Sequence, residues 1–301
     1  MTTTQQLRLD EANELLAAWA QQRAAERGIR LLLLKGRPLS DDGLRAPRTS
    51  ADVDVLVEPA RFDEFCAAVL ADGWDEFPGT FASDHFTLHS RSFRRDGWPN
   101  SFDVHSDYPG FLREPTLVFD ALWSTRRTAD FAHQDCAVPS RTANLLIIAL
   151  HSLRGTYRQQ RHRTELEGLR DARLTDAEKR EVADLAAATG AATALHDLLP
   201  ELGIGAQVDT ELLDSAAYRE WRRKVAEAQG AAASWLGLLL RSPWREKPEI
   251  VWRAFWPSRA DFAINHPEIP DRFWPQLRGR VERWGRGLGR LPAALASLRR
   301  R

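Results

Sequence analysis

Arg48-Thr49-Ser50-Ala51-Asp52-Val53-Asp54-Val55-Leu56-Val57 is the most informative run in this chain of 301 residues. Valines alternate with carboxylates and then give way to an apolar tail. That is the pattern of a strand that begins at a polar edge and runs into a core. Residues two apart on a strand share a face, with Cα atoms about 6.5 to 7 Å apart. Asp52 and Asp54 therefore converge on one side while Val53 and Val55 take the other. Two carboxylates this close repel when both ionise, so a cation between them is expected. A hard, all-oxygen donor pair suits Mg²⁺, with Mn²⁺ as its substitute, because such ions keep several waters and bind substrate phosphates.

Working outward, Asp10 to Arg27 reads as a helix, with Leu15, Leu16, Trp19 and Ala20 at helical spacing and Gly28 as its stop. Ile29 to Leu34 is a short apolar run suited to a strand buried on both faces. It ends in Lys35-Gly36, and Lys35 is one of only four lysines in the chain. Lys35 offers a point charge to a phosphate, and Gly36 allows close backbone approach. Arg37 to Ser50 reads as a loop, long enough to suggest function. Arg48 and Ser50 are placed to contact further phosphate oxygens. Downstream, Pro59 to Asp72 reads as an amphipathic helix capped by Gly73. His85 to Phe93 reads as a strand, Asp96-Gly97 as a turn, and Ser101 to His105 as the next strand.

Asp103, in Ser101-Phe102-Asp103-Val104-His105, brings a third carboxylate. Three carboxylates on adjacent strands are the minimum for a two-metal phosphoryl site, with ions about 3.5 to 4 Å apart. One ion would hold a triphosphate. The other would acidify an acceptor hydroxyl, whose proton Asp103 is placed to receive. His85 and His105 fall near these carboxylates and are candidates for acid/base work or phosphate contact.

Composition sets the bounds. The 43% hydrophobic content is ample for packed cores, and the 42 basic and 42 acidic side chains cancel. A neutral chain is not one that coats its whole surface with nucleic acid. No run reaches the roughly 20 apolar residues of a membrane span. Met1 to Gln6 has neither a basic nor an apolar leader pattern, so a cytoplasmic protein is expected. Cys66 and Cys136 are too few and too separate for a disulfide framework or a zinc knuckle. Up to about Val138 strands and helices alternate. After Pro139 the texture becomes helical, with Asn144–Leu153, Asp176–Leu199 and Glu211–Leu240 as the main stretches. The expected division is therefore an α/β catalytic domain over residues 1–139 and a mostly helical domain over 140–301. Arg278 to Arg301 carries eight arginines against one acid, Glu282, a local charge of +7.

The order strand-Lys35-Gly36, then Arg48-x-Ser50-x-Asp52-x-Asp54 with an apolar tail, then Asp103 on a later strand, resembles the DNA polymerase β type of nucleotidyltransferase. More narrowly it is similar to the bacterial group of uncharacterised nucleotidyltransferases, through Leu33-Leu34-Lys35-Gly36, Arg48 to Val57 and Asp103-Val104-His105. The helix bearing His151 and the Phe255-Trp256-Pro257-Ser258 element fit that group too. The resemblance implies a nucleotidyltransferase-like mixed sheet with flanking helices. It makes Asp52, Asp54 and Asp103 the metal-binding catalytic carboxylates. It also implies Mg²⁺-dependent transfer of a nucleotidyl group from an NTP such as ATP to a hydroxyl or phosphate of an acceptor. That acceptor is unidentified: a small molecule, a peptide, a protein or RNA. One departure stands out: where the wider superfamily has a Gly-Ser after the first strand, this chain has Lys35-Gly36-Arg37-Pro38.

Plainer readings compete. Asp-Val-Asp-Val also fits an edge strand with a solvated acidic face, and Lys35 a solvated strand terminus. His151 reads as a hydrogen-bonded helix residue. Trp244, Trp252, Trp256 and Trp274, set among arginines, read as helix-packing anchors rather than base-stacking platforms. Two rival functions remain beside nucleotidyl transfer. One is transfer of a sugar or phosphoryl group to a peptide or small molecule; the other is a non-catalytic, antitoxin-like regulator on the same fold. The complete carboxylate set favours an enzyme.

Overall fold

Leu31–Leu34 forms β1, and all four leucines are buried. Such a strand must be covered on both faces, and this fixes it inside a layered α/β arrangement. In the computed structural model the described residues are 7–78, 81, 90–154, 159–227, 231–259, 261–262, 269–270, 272–282 and 284–285. The chain divides into two compact units. One comprises Met1–Phe77, His89–Ser152 and Gln160–Arg219; the other comprises Pro78–Leu88, Leu153–Gln159 and Glu220–Arg301.

The first unit is built on a five-stranded sheet in the order β1-β2-β5-β4-β3, where β2 is Asp52–Val57, β3 Asp75–Glu76, β4 Ser90–Arg94 and β5 Ser101–His105. β2 and β5 pair in parallel, and the other pairs are antiparallel. Helices α1 (Leu9–Glu26) and α3 (Phe62–Ala71) flank it, with a short α2 (Gly36–Asp41) directly after β1. This is the mixed α/β sheet with flanking helices that the sequence leads one to expect. Alternation along the strands sorts the side chains. Leu31, Leu33, Val55, Val57, Phe93, Phe102 and Val104 join one buried cluster with Leu16, Phe65 and Trp74. Asp54, Asp103 and His105 belong to the opposite face.

Several elements differ from expectation. The stretch Arg37–Ser50 is not all loop, because α2 occupies its start with Pro38 in its first turn, where a missing N–H costs nothing. Asp42 closes that helix and is a structural anchor: its carboxylate accepts from Arg127 Nη2 and Asn144 Nδ2, each at 2.7 Å. Helix α4 (Pro115–Ser124) and the hairpin β6 (Arg127–Phe131)–β7 (Gln134–Val138) were not anticipated as separate elements. The hairpin's two-residue loop is Ala132-His133, both at positive φ, 48° and 63°. Mirror-image turns of this kind normally use Asn-Gly, so the usual sequence signal is missing.

A non-glycine side chain in the left-handed region costs roughly 1 kcal/mol, and both loop residues are exposed. His133→Gly is therefore expected to stabilise the first unit by about 0.5 to 1 kcal/mol. A urea midpoint that falls or stays put would show that the loop carries no such strain.

The helical part begins with α5 (Arg141–Arg154) and α6 (Gln159–Asp171). The long helix expected over Asp176–Leu199 is interrupted. Gly190, at φ 76°, ends α7 (Asp176–Thr189), and the short α8 (Ala191–Ala194) and α9 (Leu198–Glu201) follow. Glu211–Leu240 likewise falls into α10 (Thr210–Leu213), α11 (Ala216–Glu227) and α12 (Ala231–Arg241), with α13 (Lys247–Phe255) beyond. Within the second unit Trp221, Ile250 and Phe262 are buried, whereas Trp244, Trp252 and Trp274 are exposed and are not packing anchors. Trp244 and Trp256 do meet arginines, with the Arg245 guanidinium 5.9 Å and the Arg280 guanidinium 5.1 Å from their ring centres. Only residues 278–282 and 284–285 of the arginine-rich tail fall among the described residues. Cys66 and Cys136 are free and buried. No helix among the described residues is long and apolar enough to cross a membrane.

Candidate active site

The site grows from strand register. Leu34, Asp54, Asp103 and Ser92 lie in one row across β1, β2, β5 and β4. Directly paired residues on neighbouring strands present side chains to the same face, so Asp54 and Asp103 are brought side by side. Asp52 lies two residues before Asp54 on that same face. Donor oxygens of the three carboxylates lie within 4.8 Å of one another. Ser50 donates its hydroxyl to Asp52, and Asn13 Nδ2 holds the Ser50 carbonyl at 2.9 Å, which fixes the start of β2.

Lys35 follows the last residue of β1, and simple alternation would send it to the face away from Asp54. Its backbone instead turns to φ 57°, ψ −134°. An L-residue there pays about 1 to 3 kcal/mol, which the surrounding contacts must offset. The turn returns the side chain to the acidic face, where Nζ lies 2.8 Å from Asp54 Oδ1. His105 Nε2 lies 3.0 Å from the same oxygen. Both partners of Asp54 are themselves largely buried.

These contacts give the carboxylates different acidities. Burial alone would raise the Asp54 carboxyl, but Lys35 and His105 outweigh it and hold it well below the usual range. At Asp103 the His105 charge lowers the carboxyl too, but does not outweigh the opposing effects. Burial and the neighbouring Asp54 charge push it up to about 6, despite a hydrogen bond from Ser92. One row of the sheet thus carries a firmly ionised carboxylate next to one poised to take a proton.

A cavity of about 560 Å³ opens against this face, within the volume range of ligand sites. Lys35, Gly36, Arg48, Ser50, Asp52 and Asp54 line it. Asp103 does not line the cavity, but its carboxylate lies within 4.8 Å of those of Asp52 and Asp54, which do. So Asp52, Asp54 and Asp103 are brought together, with Lys35 and His105 on Asp54. Gly36, Arg48 and Ser50 sit at the cavity, and His85 lies outside the described residues.

A neighbouring cluster escaped the sequence. Glu165 of α6 is buried, and its carboxyl is held at about 2: burial is outweighed by His162, Ser152, His151 and Arg48. The His162-x-x-Glu165 spacing puts both on one helix face and was readable, but nothing in the chain ties that face to Arg48.

The chain belongs to the uncharacterised nucleotidyltransferase family, whose model matches residues 3–199. It is thereby an enzyme of the nucleotidyltransferase class. The matched span contains the three carboxylates, Lys35, Arg48 and Glu165. No curated protein matches the chain. Among solved structures it is similar to an antigenic nucleotidyltransferase-like protein from Paracoccidioides brasiliensis, at 16% identity and a TM-score of 0.41. That match covers 70% of this chain and all of the other. It is also similar to a lincosamide antibiotic adenylyltransferase, LnuA, with lincomycin bound. There the identity is 12% and the TM-score 0.33, over 62% of this chain and all of the other.

Proposed function

We propose that this protein transfers a nucleotidyl group from an NTP to a hydroxyl or phosphate of an acceptor, with Mg²⁺ held by Asp52, Asp54 and Asp103. The observation that carries the reading is the convergence of three carboxylates, one of them raised towards neutrality by burial and by the negative charge of its neighbours. That excess charge and the all-oxygen donor set fit a hard divalent cation. When bound there, the cation supplies charge neutralisation on the phosphates and a more acidic acceptor hydroxyl.

The chain's own residues do the rest. Lys35 and His105 keep Asp54 ionised and fixed. Asp103 accepts the acceptor's proton as its oxygen bonds the α-phosphorus and the α–β phosphoanhydride bond breaks, releasing pyrophosphate. Gly36 and Ser50 shape the wall along which the phosphates lie, and alignment of the reactants supplies much of the rate. On this reading the carboxylate chemistry resides in residues 1–139, and the helices of 140–301 add Glu165 behind Arg48. A cytoplasmic, reducing setting accords with the two free buried thiols.

The test is incubation with each radiolabelled NTP, Mg²⁺ and cell extract, comparing the natural chain with Asp52→Ala/Asp54→Ala. Label should move to an acceptor only with the natural chain. Transfer that survives the double substitution would place the chemistry elsewhere.

A further inference from the structure

Five basic side chains gather on one carboxylate beside the cavity. Glu165 Oε1 lies 3.1 Å from Arg48 Nη2 and 3.6 Å from Arg161 Nε. Its Oε2 accepts from Ser152 Oγ at 2.9 Å and faces His162 Nδ1 at 3.1 Å. His151 completes the group, its ring edge-on to His162 with centres 5.1 Å apart. Arg45 joins from the other side: its Nη2 donates to the Gly36 carbonyl at 2.6 Å, and Gly36 and Arg48 both line the cavity. Arg45 is held at about 10 by burial and by the Arg48 charge next to it.

The donor atoms of His151, His162 and Glu165 lie within 4.8 Å of one another, which by distance alone would suit a transition metal. Charge argues the other way. Both Glu165 oxygens are already engaged, and a dication would have to settle beside two fixed guanidiniums. Among the described residues three arginines face two acids, Glu165 and, for Arg45, Asp52, which leaves positive charge to spare, and burial of a guanidinium favours a further anion beside it. Arg161 and His162 also lie in the first turn of α6, where the helix dipole adds to the positive potential. The site is therefore polarised, with carboxylates at one end and guanidiniums at the other. A metal-bound triphosphate has the complementary polarity.

We infer that Arg45, Arg48 and Arg161, gathered around Glu165, form the seat for the triphosphate tail of the nucleotide donor. This rests on the nucleotidyl-transfer reading. Guanidiniums suit the task because their paired N–H groups match phosphate oxygens. Glu165 spaces and aims them while it leaves a net positive charge.

Calorimetric titration with inorganic tripolyphosphate in metal-free buffer tests this. The natural chain should bind it, and an NTP should displace it. Arg161→Gln, at a partly exposed position, should weaken binding at least about tenfold, and Arg48→Gln should do the same if it folds by circular dichroism. No binding, equal binding by Arg161→Gln, or failure of an NTP to compete would each overturn the inference. Label transfer run alongside separates the two ideas. Transfer with an unchanged KM for NTP in Arg161→Gln sinks the seat and spares the reaction. Tripolyphosphate held by the arginines with no transfer from any NTP sinks the reaction and, with it, the assignment of the seat to a donor.

Discussion

On the proposed reading, Asp54→Asn should lower nucleotidyl transfer by about three orders of magnitude, the scale seen when one preorganised electrostatic group is taken from a reaction centre. Asparagine keeps the volume and the Oδ1 acceptor that faces Lys35 Nζ and His105 Nε2, so the row Leu34–Asp54–Asp103–Ser92 can persist. The charge is what disappears. Lys35 is then a mostly buried cation without its carboxylate, at a cost of about 3 kcal/mol. Two measurements distinguish this from general damage. Far-ultraviolet circular dichroism should be unchanged at low temperature, and calorimetry should show Mn²⁺ affinity falling with activity. His105→Ala, which removes a partner of Asp54 rather than a ligand, should cost only about 10- to 100-fold. If both substitutions were equally mild, Asp54 would be a structural acid and the centre of the site would have to move.

Much of this site was legible because strands have a period of two. Asp52 and Asp54 had to share a face, and a lone Asp103 in an alternating run was the natural third member. Parallel pairing in the register Asp54↔Asp103 is what makes them neighbours. Lys35 was legible as a position but not as a contact. Its partner is set by a backbone turn that L-residues avoid, and no local pattern announces a strained lysine. Arg48 was visible before the strand, yet its pairing with Glu165 joins residues far apart in the chain and depends on how α6 is placed. The same limit hid the hairpin at Ala132-His133, whose turn lacks the residues that normally mark it. The prolines of Arg37–Ser50 read as loop signals although Pro38 sits in the first turn of a helix. Where the physics is local and periodic the sequence speaks; where a contact crosses between elements it does not.

Phe102→Ala removes about 3 to 5 kcal/mol from the first unit, because a large buried ring is replaced by a cavity its neighbours only partly fill. Phe102 is fully buried, and four aromatic rings surround it: Trp74 at 5.8 Å, Trp19 at 5.9 Å, Phe65 at 6.3 Å and Phe93 at 6.4 Å between centres. Those rings come from α1, α3, β4 and the segment before β3, so one side chain ties together both flanking helices and the sheet. Aromatic pairs add about 0.5 to 1.5 kcal/mol each beyond burial, which puts the loss towards the upper end. The melting temperature should fall by about 10 °C, followed by the fluorescence of Trp19, Trp74 and Trp98 in the same cluster. Phe102→Leu should recover most of the loss. A fall below 1 kcal/mol for the alanine variant would mean that the core does not close on this ring. The prediction also bears on the chemistry. Phe102 and Val104 face the core while Asp103 and His105 face the candidate site, so β5 is held in register by the very residues that alternate with them. A slip of one residue would bury Asp103 among aromatics and expose Phe102 at the cavity side. The stability stored in Phe102 is therefore what keeps the third carboxylate beside the other two. A variant weakened at Phe102 should lose Mn²⁺ binding only as it unfolds, whereas Asp54→Asn loses it while folded.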